Sequence, residues 1–202
     1  MAPSPPSSSC PFCRIASTYP PRSPSSKEEQ GHSSVPGHHD QKSPNSTVPN
    51  ILDAGDSTPA HLILSTDSVL AFLDIMPLTR GHVLLVTREH YDKLNDVDVG
   101  VARELGQWLP VLSRAVSKTV FGEDGDAHWN VVQNNGIRAA QQVPHLHFHI
   151  VPRPSVPTTG RWAAAQASYA MFGRGQRDDL DEAEGEELAG VLREALAREV
   201  RR

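Results

Sequence analysis

Three of the ten histidines in this chain stand at alternate positions within five residues, in the segment HLHFHIV. They are His145, His147 and His149, and apolar residues fill the positions between them. Alternate side chains of a β-strand point to opposite faces of a sheet, so a strand here places all three imidazoles on one face. Burying imidazoles without partners costs stability. The pattern therefore indicates a chemical role.

Two kinds of chemistry fit this spacing. Neighbouring histidines in a strand lie about 7 Å apart and the outer pair about 13 Å apart, so one metal ion cannot bind all three without severe bending. His145 and His147 alone could form a zinc pair, as in a metalloenzyme. Alternatively, a neutral histidine can attack phosphorus and form a labile phosphoramidate, while a second, cationic histidine stabilises the phosphoryl oxygens.

Composition narrows the class of protein. The chain has 202 residues, a formal charge of −5 and a pI near 6.0, which disfavours a dedicated nucleic-acid binder. It has no apolar run long enough to cross a membrane and no apparent secretory signal. Its two cysteines, Cys10 and Cys13, form a C-x-x-C pattern, which is typical of a redox pair, two free thiols or half of a zinc site. We expect an intracellular protein, in the cytoplasm or nucleus.

The composition also predicts four segments. Residues 1–18 carry the C-x-x-C pair and are expected to pack on a folded core at residues 59–155. Residues 19–58 are rich in serine and proline and show no periodicity, so we predict a disordered insert there. Residues 156–202 form a C-terminal extension that ends in a charged helix from about residue 181.

The core itself reads as strands with one long helix. Five strands are predicted, at 61–66, 69–75, 81–88, 128–135 and 145–153. Apolar residues at spacings of three and four predict an amphipathic helix from Val99 to Phe121, with a kink or break at Pro110. The expected fold is α+β, a mainly antiparallel sheet of about five strands with flanking helices.

The motif resembles that of the histidine triad (HIT) superfamily, which is named for alternating histidines of this kind. The segments CPFCRI, VLAFLDIMPLTRGHVLLVTREH and NNGIRAAQQVPH are also similar to the family's N-terminal opening, its second and third strands and the lead-in to its triad. The resemblance covers residues 10–15 and about 60–155, roughly half of the chain. It implies a HIT-like fold.

The resemblance implies roles for individual residues. His147 matches the family's nucleophile, which attacks the α-phosphorus of a nucleotide and forms a nucleotidyl-histidine that water hydrolyses. His149 matches the histidine that contacts the phosphoryl oxygens. Asp74 matches the acidic residue that accepts hydrogen bonds from the ribose hydroxyls, as a carboxylate can.

Three further positions flank the reacting group in the family. Asn134 matches an amide near the α-phosphate and the leaving group. Gln142 stands where many members carry a serine or threonine that donates to the leaving group or phosphate, and its amide can also donate. Ala140 stands where glycine is common, so a close backbone approach there is expected to be altered.

The resemblance also implies a metal site. Branches of the family that carry a C-x-x-C pair it with a histidine after the third strand and with the first histidine of the triad. Those residues here are Cys10, Cys13, His90 and His145, and we expect them to hold one structural Zn²⁺. No organic cofactor is expected, and His82 is interpreted as a structural histidine at a strand start.

The leading hypothesis is a hydrolase of the Hint-like branch that cleaves the P–N bond of adenosine phosphoramidates or aminoacyl-adenylates. Alternatives are a dinucleoside polyphosphate hydrolase, a purine-nucleotide-binding scaffold with slow turnover, and a zinc enzyme that uses His145 and His147. A DNA-deadenylating role is disfavoured because no added zinc finger or basic surface is evident. The resemblance further implies a homodimer, and neither a membrane nor nucleic acid is an expected partner.

Overall fold

The computed structural model describes residues 8–21, 60–154 and 178–202. They form five strands and three α-helices, with two short 3-10 helices at Leu94–Asp96 and Ile137–Ala139. The strands are β1 (Leu62–Ser65), β2 (Val69–Leu73), β3 (Val83–Thr87), β4 (Trp129–Gln133) and β5 (His147–Pro152). The helices are α1 (Pro11–Thr18), α2 (Val99–Phe121) and α3 (Glu182–Val200). No helix among these residues is long and apolar enough to cross a membrane.

The strands form one antiparallel sheet in the order β1-β2-β3-β5-β4. Every residue of β1, β2 and β3 is buried, which agrees with their almost unbroken apolar sequences. Strand β4 is the edge of the sheet and is largely exposed. The predicted α+β fold with an antiparallel sheet of about five strands is confirmed.

The two faces of the sheet have separate cores. Helices α2 and α3 cover one face, with Trp108, Leu112 and Leu192 among the buried side chains. Helix α1 covers part of the other face, where Phe12 and Ile15 pack with Phe72 and Leu84. The second core holds α1 beside β5, where Phe12 packs on His147.

Helix α2 has the bounds that its apolar periodicity predicts. The Asp98 side chain caps its start by accepting hydrogen bonds from the N–H groups of Gly100 and Val101, and Gly122 ends it with a φ of 84°. The sequence predicts a kink or a break at Pro110, and the structure excludes the break, because the helix runs through this residue. Pro110 and Gly106, whose carbonyl loses its helical partner there, are both exposed, so water can satisfy that carbonyl.

Several predicted segments differ from the structure or lie outside the described residues. Strand β5 begins at His147, so His145 precedes it, although the sequence predicts a strand from residue 145. Helix α1 was not predicted, whereas the predicted C-terminal helix is observed as α3. Most of the predicted insert at 19–58, and residues 155–177 of the extension, are outside the described ranges. The four segment boundaries therefore stay predictions.

Candidate active site and metal centre

A cleft of about 520 Å³ opens on the face of the sheet that carries α1. Its lining includes α1, the end of β2, the loop that precedes β5, and one face of β4 and β5, together with residues before β1, one residue of β3 and the start of α3. The sequence-predicted residues that reach it are Asp74, Asn134, Ala140, Gln142, His147 and His149. The fold thus brings the six predicted cleft residues together from segments up to 75 positions apart (His149 and Asp74).

His147 is fixed by its own backbone neighbourhood. Its Nδ1 lies 2.6 Å from the carbonyl oxygen of His145. A carbonyl can only accept a hydrogen bond, so Nδ1 carries the proton and Nε2 keeps its lone pair. The Phe12 ring packs edge-on against this imidazole, with ring centroids 5.2 Å apart. His147 is therefore held in the tautomer that makes Nε2 a nucleophile.

The electrostatic surroundings keep His147 neutral. Burial lowers the pKa of His147 below its ordinary value, and this effect exceeds the opposing effects of the His145 carbonyl and the Asp74 carboxylate. Its side chain is only 5 % exposed, although it lines the cleft. A neutral imidazole is the form that can attack an electrophile, so nucleophilic chemistry is available at neutral pH.

A second pair of histidines, His82 and His149, lies beside His147. The ring of His149 lies 4.8 Å from that of His147, measured between centroids. Nδ1 of His149 is 3.0 Å from Nε2 of His82, and the Leu78 N–H donates to the other nitrogen of His82. His82 therefore donates to His149, which leaves the proton of a neutral His149 on Nε2. The Nε2–H of His149 can donate to an oxygen of a bound phosphoryl group.

Asp74 lies beside this pair at the end of β2. Its Oδ2 is 3.4 Å from Nδ1 of His82, and its Oδ1 accepts a hydrogen bond from the Met76 N–H. His82, which the sequence indicates is a structural histidine at a strand start, directly precedes β3. Its side chain, 1 % exposed, connects Asp74 with His149.

The loop between β4 and β5 carries the remaining predicted residues. Asn134, Ala140 and Gln142 all line the cleft. Ala140 has a φ of 65°, and no other non-glycine residue in the described ranges has a positive φ. Left-handed backbone is costly for a residue with a Cβ, which explains why glycine suits this position. The sequence-based expectation that Ala140 alters this loop thus has a local physical basis.

Four buried residues, Cys10, Cys13, His90 and His145, lie together next to the row formed by His147 and His149. Sγ of Cys13 is 3.2 Å from Nδ1 of His90, and Nδ1 of His145 is 3.4 Å from Sγ of Cys10 and 3.6 Å from Sγ of Cys13. All four ligand atoms lie within 4.8 Å of one another. Tetrahedral bonds of about 2.1–2.3 Å to nitrogen and sulfur place neighbouring ligand atoms about 3.4–3.8 Å apart. The cluster could therefore hold a metal ion.

Outer contacts prepare both imidazoles of the cluster for a metal. Nε2 of His145 lies 2.8 Å from the Thr87 carbonyl oxygen, and Nε2 of His90 lies 3.1 Å from an oxygen of Asp92. Each Nε2 therefore donates, and each Nδ1 presents a lone pair to the thiols. Burial lowers the pKa of His145 to about 4, which keeps this imidazole neutral. Neutral imidazoles and thiolates are the ligand forms that zinc prefers.

The cysteine–histidine cluster and the histidines of the cleft are linked through His145. The side chain of His145 belongs to the cluster, while its carbonyl oxygen holds Nδ1 of His147. Helix α1 contributes similarly, since Phe12 stands between the two cysteines and packs on His147. The sequence offered no signal for these links, because they depend on backbone geometry.

Comparisons with known proteins show which family the chain is similar to. A family model described as "HIT domain" matches residues 56–156. A HIT-like protein of Methanocaldococcus jannaschii is 36% identical over 129 residues, which are 61% of this chain and 85% of that one. Adenosine 5'-monophosphoramidase HNT1 of Candida albicans is 31% identical over 144 residues, which are 68% of this chain and 89% of that one.

A solved structure extends the similarity to the fold. The crystal structure of a zinc-bound histidine triad family protein from Mycobacterium smegmatis superposes with a TM-score of 0.52 and 30% sequence identity. The superposition covers 70% of this chain and 86% of that one.

Proposed function

The chain belongs to the HIT domain family, and from this premise we propose that it is a nucleotide hydrolase that acts at the α-phosphate of adenosine nucleotides, most specifically an adenosine phosphoramidase. The observation that carries the proposal is the state of His147. Its Nδ1–H is bonded to the His145 carbonyl, so its Nε2 lone pair is available in a cleft that also holds His149. The name of the Candida albicans relative supports the choice of phosphoramidates.

The reaction proceeds in two balanced steps. Nε2 of His147 attacks the α-phosphorus, and the P–N bond to the leaving amine breaks as the new bond forms. The electron pair of the broken bond goes to the amine, which takes a proton from solvent. Water then attacks the phosphorus of the nucleotidyl-histidine, the electron pair returns to Nε2, and a proton is released with the nucleoside monophosphate.

His149 and its partners stabilise this reaction. An Nε2–H of His149 donates to a phosphoryl oxygen, where negative charge accumulates during attack. His82 holds the ring of His149, and the Asp74 carboxylate lies beside this pair. Asn134 and Gln142 line the cleft close to the leaving group and can donate amide hydrogens to it or to the phosphate.

The nucleoside occupies the part of the cleft between α1 and β2. Asp74 accepts hydrogen bonds from the ribose hydroxyls, and apolar side chains of Phe12, Ile15 and Phe72 pack against the purine. This is an apolar site with few polar groups, which suits a flat base with a polar sugar.

We also propose that the Cys10, Cys13, His90 and His145 cluster binds structural Zn²⁺. Two sulfurs and two imidazole nitrogens are a usual closed ligand set for this ion, and four protein ligands leave it no open position. Zinc bound there would supply stability by tying α1 to the segment before β5. No step of the reaction passes through it.

The proposed assembly is a homodimer that pairs two copies through β4. This edge strand exposes the apolar side chains of Trp129 and Val131, at 43% and 46% of their maximum. Light scattering should give twice the mass of one chain, and a monomer at micromolar concentration would refute this assembly. Cys10 and Cys13 do not form a disulfide, which fits an intracellular location, in cytoplasm or nucleus.

A substrate panel tests the function. The protein is incubated with adenosine 5'-phosphoramidate and, separately, with diadenosine polyphosphates, and kcat/KM is measured for each. The proposal predicts the higher value for the phosphoramidate. A higher value for the diadenosine compounds would favour the polyphosphate hydrolase alternative. Tight nucleotide binding with no turnover of either class would favour a scaffold.

A further inference from the structure

One cationic side chain in the cleft has no role in the reaction described above. Arg153 follows β5, and the residues His147, His149 and Val151 precede it at alternate positions that all line the cleft. The face that carries the nucleophile therefore continues to a guanidinium group. Four residues along a strand span about 13 Å, so the backbone of Arg153 lies about this far from that of His149.

The side chain of Arg153 is directed toward β4. Its Nε donates a 2.8 Å hydrogen bond to Oδ1 of Asn130, which is on β4. Asp74 ends β2, on the other side of β5 in the order β2-β3-β5-β4. The Asp74 N–H donates to the His82 carbonyl, and Val83 lies opposite Ile150, so Asp74 is level with Val151 across the sheet. Asp74 and Arg153 thus lie toward the same end of β5 but on opposite sides across the sheet, Asp74 toward β2 and Arg153 toward β4. A nucleotide whose ribose is at Asp74 leaves the β4 side of the cleft for the leaving group.

The guanidinium is held in place but keeps hydrogen-bonding capacity. Asn130 occupies Nε only, and the two terminal nitrogens make no hydrogen bond or ion pair with another described residue. Partial burial lowers the pKa of Arg153, and no carboxylate among the described residues acts against this. An arginine that is half-buried without an acidic partner is costly unless an anion joins it. Its forked terminal nitrogens suit a carboxylate or phosphate group.

We propose that Arg153, oriented by Asn130, binds a negatively charged group on the leaving portion of the substrate. This inference rests on the proposed hydrolysis of P–N bonds and specifies its substrates: amides of the nucleotide whose amine carries a carboxylate or a phosphate. An amino acid joined through its amine supplies a carboxylate, and a phosphorylated amino alcohol supplies a phosphate. Both present oxygens to the same fork.

The experiment compares charged and neutral leaving groups that are otherwise matched. One pair is the alanine amide of AMP and its methyl ester. The other pair is the O-phosphoethanolamine amide of AMP and the ethanolamine amide. For each pair, kcat/KM is measured and expressed as a ratio of charged to neutral substrate, in the wild type, in Arg153→Gln and in Arg153→Lys. Arg103→Gln removes an exposed charge on α2 and is the matched control.

The wild type should prefer the charged member of at least one pair, and Arg153→Gln should lower that ratio about tenfold or more, as expected for a charge-assisted hydrogen bond. Arg153→Lys should retain part of the preference, because it keeps the charge without the fork. Arg103→Gln should leave the ratio unchanged. The pair that responds identifies the anion as carboxylate or phosphate.

Ratios that stay unchanged for both pairs in Arg153→Gln would overturn the inference. If Arg153→Gln does not fold, as judged by circular dichroism, the same ratios of kcat/KM are measured in Arg153→Lys and Asn130→Ala. At least one of these two variants should then lower a ratio threefold or more. The proposed function fails separately: in that case the wild type cleaves no member of either pair.

Discussion

Two groups of histidines lie side by side in this protein, and their ring nitrogens have opposite arrangements. In the cluster of Cys10, Cys13, His90 and His145, the two histidines donate outward through Nε2 and present Nδ1 to the cysteine thiols. In the cleft, the proposed nucleophile His147 donates through Nδ1 to a backbone carbonyl and presents Nε2. His145 and His147 are two residues apart. What each imidazole does is thus decided by which nitrogen its neighbours occupy.

The two groups also differ in access. The cluster is closed, since all four members are buried and each lone pair faces another member. The row of His147 and His149 lines an open cleft. The cluster therefore suits a structural ion and the row suits a substrate, and variants in one group should leave the other group's property intact.

The largest expected effect is on turnover. His147→Ala removes the nucleophile and should lower kcat for adenosine phosphoramidate by at least about 10³-fold, as loss of a nucleophile does in other enzymes. The variant should keep its metal and its melting temperature within a few degrees of the wild type, measured by elemental analysis and calorimetry. Turnover within tenfold of the wild type would refute the nucleophile assignment, and loss of metal would refute the separation of the two groups.

The next effect is on stability. Cys13→Ser removes a ligand and should reduce bound metal well below one ion per chain. With at least about 3 kcal/mol of stabilisation lost, the melting temperature should fall by about 6–12 °C. Asp92→Asn, which weakens only the outer partner of His90, should cost about 10–100-fold in metal affinity instead. A freshly purified wild type with little zinc, or a Cys13→Ser variant as stable as the wild type, would contradict the structural metal.

A smaller effect is expected from the positioning residue His82. His82→Gln removes the donor that orients His149 and should lower kcat by about 10–100-fold, comparable to a small misplacement of a reacting group. KM should change much less, because His82 does not contact the nucleotide. The exposed His128 offers the control His128→Gln, which should change neither constant. Equal losses in kcat for both variants, or a change confined to KM, would count against the orienting role.

The smallest effect concerns the loop before β5. Ala140→Gly relieves left-handed backbone and should raise the free energy of unfolding by about 0.5–1 kcal/mol, since the strain removed exceeds the flexibility gained. Ala139→Gly lies next to it in the 3-10 helix, where φ is not positive, and should lower the free energy of unfolding. Urea denaturation measures both. Destabilisation by Ala140→Gly would contradict the strain.

The sequence predicts well those features that depend on local patterns. Unbroken apolar runs located β1, β2 and β3, and spacings of three and four located α2 from Val99 to Phe121. The motif HLHFHIV and its resemblance to a known family led to the cluster and the row together. These features follow from residues that are close in sequence, or from a motif whose family resemblance implies which distant residues lie together.

The features that sequence does not predict depend on contacts between distant segments. His82 meets His149 only because β3 and β5 pair in antiparallel register, with Val83 opposite Ile150. The short helix α1 owes its place to packing of Phe12 and Ile15 on the sheet rather than to its own eight residues. Pro110 is tolerated because it faces solvent, which a local rule about proline does not include.

The most direct test of the central claim is to trap the covalent intermediate. The protein is mixed with adenosine phosphoramidate, quenched in the millisecond to second range under conditions that preserve P–N bonds, and digested for mass spectrometry. The account predicts a nucleotidyl group on the peptide that contains the triad, located on His147 and absent from the His147→Ala variant. A nucleotidyl group on a different residue, or turnover at the wild-type rate with no adduct at any time point, would contradict it.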